Sequence, residues 1–132
     1  MIKAKSETVR LYIVEEQEIY RELYRYTLSA RSNFELLKVS ASSETGKLVT
    51  TVTELHPDVL LLSVKKLNAG IIEELEGLRN DYPQLGIVIL LSVYNSKDIE
   101  LLRRLALSGE GGMALFLKQS LDQIDQLCRT II

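Results

Sequence analysis

Few side chains in this sequence can do chemistry, and they fall at a handful of points. Glu15 and Glu16 close an apolar run. Adjacent carboxylates so placed can share a divalent cation, or can simply favour the N-terminus of a following helix. Ser63 lies at the end of a second apolar run, just before the cations Lys65 and Lys66. A serine hydroxyl is un-ionised near neutrality and needs a base to act as nucleophile, and no histidine is placed to support it, which argues against a hydrolase. The single histidine, His56, precedes Pro57 in a turn, and the single cysteine, Cys128, has only Arg129 as a basic neighbour, as suits a core thiol. Together they are too few for a zinc site within one chain. The run Glu15-Glu16-Gln17-Glu18 is the electrostatic opposite of a phosphate loop, which excludes a flavodoxin-like cofactor binder. Lys65-Lys66 reads first as a solvated loop and only second as an anion site.

The elements that must position these groups are legible from hydrophobic patterning. Three nearly continuous apolar runs, 9–14, 59–64 and 87–93, have the length and character of strands covered on both faces of a parallel sheet. Two weaker runs, 34–39 and 114–117, complete a set of five. Between them the spacing predicts helices over 16–30, 43–55, 71–80, 97–108 and 120–132. In the first, Tyr20, Tyr24 and Leu28 form one row, with Ile19, Leu23 and Thr27 beside it. The fourth carries Ile99, Leu101, Leu102, Leu105 and Leu107, more apolar positions than one buried stripe requires, with Arg103-Arg104 on a solvated face. Strands alternating with helices specify an α/β fold, (βα)5, with a doubly wound parallel five-stranded sheet in the flavodoxin-like order 2-1-3-4-5. In such a sheet the functional cleft lies outside the carboxyl ends of strands one and three, just after Val14 and around Ser63.

Composition sets the outer bounds. The 132 residues, 46% apolar and 26% charged, fit a single globular domain over 1–132, with 1–8 as an N-terminal extension. Sixteen basic against eighteen acidic residues argue against direct nucleic-acid or membrane binding. The first eight residues lack the apolar stretch of a secretory signal, and the uncharged middle stretch falls far short of the ~20 residues that span a bilayer. A cytoplasmic protein is expected.

Four segments, in order and at the right spacing, resemble the receiver domain of two-component response regulators. Val9–Glu16 (VRLYIVEE) is similar to the family's first strand and acidic pair, and Pro57–Ser63 (PDVLLLS) to the third strand running into the phosphoacceptor. Leu90-Leu91-Ser92 is similar to the fourth strand and its switch hydroxyl, and Leu115–Lys118 (LFLK) to the fifth strand and its closing lysine. Tyr24-Arg25 and Asp81-Tyr82-Pro83 are most like the NarL/LuxR class. The departures are specific. Ser63 stands where the family has an aspartate, Leu115 where it has a switch aromatic, and Lys65–Gly70 where it has a loop with a Met-Pro pair. The acids are Glu15-Glu16 rather than a pair with aspartate, and the loop 108–112 is about two residues longer than usual.

The resemblance implies a degenerate pseudo-receiver that is not an enzyme. Ser63 would be an inactive phosphoacceptor equivalent in a degenerate acidic pocket of Glu15, Glu16, Lys118 and Ser92, with Leu115 as a silent switch equivalent. Losing one carboxylate and gaining a nearby cation removes interactions worth roughly 4 kcal/mol each at about 4 Å and an effective dielectric of ~20, so Mg²⁺ binding is expected to be weak or absent. Lys118 would then neutralise the two glutamates directly. No cofactor is expected. The partner would be a protein or a second copy, met through the fourth helix, fifth strand and fifth helix (Ile99, Leu101, Leu105) or through helices one and five. No helix-turn-helix output domain is present in these residues, so the chain could form the N-terminal part of a transcriptional regulator. The alternative is a working atypical receiver, phosphorylated or metal-bound through Glu15, Glu16 and Lys118.

Overall fold

The computed structural model describes residues 8–117 and residue 131. Five strands, β1 (Val9–Glu15), β2 (Phe34–Ser40), β3 (Val59–Val64), β4 (Gly86–Leu91) and β5 (Met113–Leu117), form one sheet in the order β2-β1-β3-β4-β5. Every pairing is parallel, so each connection must cross over the sheet. The helices α1 (Glu18–Ser29), α2 (Leu48–Leu55), α3 (Ala69–Asp81) and α4 (Ser96–Leu107) make those crossovers.

Alternation along the strands divides the core in two. Tyr12, Val14, Leu60, Leu62, Ile87 and Ile89 pack with residues of α2, α3 and α4. Leu11, Ile13, Val59, Leu61, Val88 and Leu90 pack with Tyr24 and Leu28 of α1 and with Ile131. β3 and β4 are buried along their whole length, which is why their sequences run apolar without a break.

Several element ends differ from those the patterning predicts. The helix expected over 43–55 opens as a 3-10 turn, Ser42–Lys47, and becomes α-helical only at Leu48. Ser42, Ser43, Thr45 and Gly46 are poor helix formers, and Lys47 leaves helical geometry at φ −125°, ψ 21°. α1 starts at Glu18 rather than at residue 16, because the backbone N–H of Gln17 donates to Glu15 Oε2 (3.0 Å) and the chain there is still extended. β4 stops at Leu91, since the amides of Ser92 and Val93 turn to donate to the carbonyl of Lys65 (3.0 and 2.9 Å). α2 ends on His56, whose φ of 51° is left-handed, and Arg10 braces that corner by donating to the carbonyls of Leu55 and His56.

The floor of the sheet is fastened by a residue whose role patterning does not show. Arg79, near the end of α3, is 3% exposed. Its Nη1 donates to the carbonyls of Pro83 (3.2 Å) and Leu85 (2.9 Å), and its Nη2 to those of Gly111 (3.1 Å) and Gly112 (3.4 Å). Burial lowers its pKa, and the four carbonyl oxygens stand in for the lost hydration. The loop 108–112 fits against this clamp only because residue 111 is glycine. A Cβ there would lie 2.1 Å from the Leu85 oxygen.

The α4 face expected to meet a partner needs correction. Leu105 is buried beside Leu102 in the core, and Leu101 packs against the same cluster, because α4 turns these positions onto β4 and β5. Ile99 stays half-buried and Leu107 is exposed. Arg103 and Arg104 are solvated, as the sequence indicates. The helix expected over 120–132, with Cys128, lies outside the described residues except for Ile131, which is helical and buried.

Candidate functional site

β1 and β3 end side by side, and their ends bring two of the expected residues together. Glu15 and Ser63 are partners in the parallel ladder, and the amide of Glu16 donates to the Ser63 carbonyl (3.2 Å). Glu15 continues the row Leu11, Ile13, and Ser63 continues Val59, Leu61, so both side chains face α1 and both are fully buried. The acidic pair is therefore divided by the pleat. Glu16, half-buried, lies in the wall of a cleft of about 280 Å³ on the other side, with Lys65 and Lys66.

Two residues of α1 complete this end of the sheet, and sequence reasoning assigned neither to it. Arg21 Nη1 donates to the carbonyls of Glu15 (2.9 Å) and Glu16 (3.2 Å) and so pins the β1–α1 turn. Tyr24, 2% exposed, brings its hydroxyl to the buried pair. Burial pushes its phenol above the usual range, and the Glu15 charge adds to this, while the Ser63 hydroxyl acts in the opposite sense. Ser63 Oγ nevertheless has no hydrogen-bond partner of regular geometry among the described residues, so its contact with the phenol is close but poorly aligned. The signal for Tyr24 was present in the Tyr20, Tyr24, Leu28 row, whose middle member must face the strand ends. The rings of Tyr20 and Tyr24 lie 6.3 Å apart.

The other expected site residues do not join them. Ser92 is exposed just beyond β4, and its backbone rather than its hydroxyl is engaged. Leu115 is half-buried, opposite Ile89 in the ladder, and packs against the core cluster of α2, α3 and α4. Lys118 lies outside the described residues.

The chemistry open to this arrangement is narrow. One buried carboxylate, one alcohol and one phenol can exchange hydrogen bonds, but they offer a hard cation only one charged oxygen donor group on that side of the sheet. Among the described residues no group of three or more His, Cys, Asp or Glu side chains could hold a metal ion. The residues present therefore do not fit the three-carboxylate ion site that the resemblance would call for. A wider hollow of about 490 Å³, lined by His56, Asp58, Tyr82 and Leu85, opens at the opposite, amino ends of the strands and takes no part in this site.

Comparison with known proteins bears on the fold. No protein-family model matches the chain. A protein described as "Probable C4-dicarboxylate response regulator DctR", from Halalkalibacterium halodurans, is 25% identical over 101 residues, which is 76% of this chain and 43% of that protein. The chain thus spans less than half of that relative. Among solved structures, the response regulator domain of Thermotoga maritima CheB superposes with a TM-score of 0.73 at 18% identity, covering 95% of this chain and 94% of that one. A two-component response regulator of the LuxR family from Aurantimonas sp. SI85-9A1 gives 0.71 at 21% identity, over 95% and 85%. The chain has the receiver fold of response regulators, with the strand order expected from its sequence.

Proposed function

We propose that this chain is a pseudo-receiver: a signal-transduction domain of response-regulator type that acts by protein–protein interaction and not by phosphorylation. The observation that carries the reading is Ser63. It lies at the carboxyl end of β3, where the resemblance to receivers puts the phosphoacceptor, and its side chain is fully buried on the α1 side of the sheet. An un-ionised alcohol is a poor nucleophile, and one closed off from solvent cannot meet a phosphodonor in line. Glu15 and Glu16 point to opposite sides of the sheet, so Mg²⁺ binding is weak or absent and no metal ion offsets the charge of a phosphoryl group arriving at Ser63. Leu115 replaces a ring that would report phosphorylation with an aliphatic side chain packed on the core.

The domain acts in the cytoplasm, and no helix among the described residues is long and apolar enough to cross a membrane. As the N-terminal part of a longer regulator it would govern transcription through an output domain, a role consistent with the LuxR-family likeness. Intact mass after incubation with acetyl phosphate and Mg²⁺ tests the reading. The mass is expected to stay unchanged. A hydroxylamine-labile gain of one phosphoryl group would instead establish the working receiver through Glu15, Glu16 and Lys118.

A further inference from the structure

Beside the buried pair, on the opposite side of the sheet, the cleft that receives Glu16 has a different character. Its floor is apolar, formed by Val64 and Ile71, and its walls carry Lys65, Lys66, Ser42, Thr45 and Asn68. Its lining counts two lysines against one glutamate, so it is net positive in a protein that is net negative. Neither ammonium makes an ion pair among the described residues. The other acid of the neighbouring turn, Glu44, is drawn off by Lys38 (3.3 Å) and Lys47 (4.0 Å).

The backbone that carries these donors is held in place. Lys65 sits on a backbone whose carbonyl accepts from both Ser92 and Val93, which anchors the lysine pair to the loop after β4. Asn68 uses its side-chain oxygen on the amide of Ile71 (2.9 Å), so its NH₂ group is left to donate elsewhere. We infer that the cleft formed by Lys65, Lys66, Thr45 and Asn68 is an oxyanion-binding site that takes a phosphate or phosphomonoester group. Two cations, two hydroxyls and an amide are the donor set such a group needs, and about 280 Å³ accommodates a small anion and not a folded partner. The site lies on the other side of the sheet from Ser63 and involves no transfer chemistry, so it stands whether or not the pseudo-receiver reading does.

Titration of the isotope-labelled full chain with inorganic phosphate, against sodium chloride at matched ionic strength, tests this by amide shift changes. Saturable shifts at Thr45, Lys65, Lys66 and Asn68 are expected, with affinity falling about tenfold in Lys65→Ala/Lys66→Ala. Both lysines are exposed, so that variant keeps its fold, and Thr45→Val, which retains both cations, supplies an independent loss of about threefold. A second arm uses N-acetyl-phosphoserine amide. Tighter binding than phosphate identifies a phosphorylated chain as the source, and equal binding identifies the free ion. Shifts that grow linearly and spread to Lys47 and Lys97, or binding that survives the double substitution, would overturn the site.

Discussion

Replacing Ser63 by aspartate puts the pocket to a quantitative test. The residue pairs with Glu15 across neighbouring strands, and both side chains are buried on the α1 side. Strand neighbours lie about 4.8 Å apart, so two carboxylates there repel by roughly 3 kcal/mol at an effective dielectric of ~20. That is a large share of the 5–15 kcal/mol that holds an ordinary domain together. The same repulsion raises the new carboxyl by about two pH units. A raised acid costs nothing while both folded and unfolded chains are protonated. Its penalty therefore grows as pH rises from the ordinary carboxyl range through the raised value, and is complete at neutrality. Ser63→Asn, of similar size and no charge, shows only the packing cost. Urea unfolding of the two variants between pH 4 and pH 8 should diverge by about 3 kcal/mol at the alkaline end and converge at the acid end. Millimolar Mg²⁺ should restore part of the loss in Ser63→Asp, by bridging the two carboxylates, and leave the natural chain unmoved. Parallel curves for the two variants across that range, with no response to Mg²⁺, would refute the buried Glu15–Ser63 geometry.

Two further expectations follow from the same packing. Tyr24 ionises above its usual range, so above pH 10 the unfolded chain releases a proton that the folded chain keeps, and stability falls by about 1.4 kcal/mol per pH unit. In Tyr24→Phe that component of the slope disappears, as unfolding measured from pH 9 to pH 11.5 should show, together with loss of a late phenolate absorbance step. Arg79→Met leaves the carbonyls of Leu85 and Gly111 without the guanidinium donor, and those of Pro83 and Gly112 with only the amides of Gly111 and Ile87, at a cost of about 2–4 kcal/mol. Hydrogen exchange should quicken first at Gly111 and Ile87, whose amides hold the α4–β5 loop and the start of β4.

What the sequence discloses is the part governed by long patterns. Two-face burial makes β3 and β4 apolar without interruption, so their existence and their parallel pairing are readable, and the switch-point rule then points to Glu15 and Ser63. What it conceals depends on single contacts. Arg79 looks like any solvated charge near a helix end until four carbonyls are seen around it, and Gly111 looks like ordinary loop glycine until Leu85 is placed beside it. Leu105 and Leu107 have the same chemistry, yet one is core and the other solvent-facing, because residues two apart lie about 200° around a helix and only the packing shows which of them meets the sheet. The separation of Glu15 from Glu16 was legible in principle. Alternation from Leu11 and Ile13 assigns Glu15 to the α1 side and its neighbour to the other, whereas adjacency in the sequence suggests a single acidic pair.

The Lys65 carbonyl receives two amides from the far loop, Ser92 and Val93, on one oxygen. Two segments that are distant in the chain thereby share a single mechanical joint. The joint lies two residues ahead of the capped first turn of α4, where Asn95 and Asp98 exchange hydrogen bonds. The carboxyl ends of β3 and β4 are therefore joined just ahead of α4 by backbone hydrogen bonds alone.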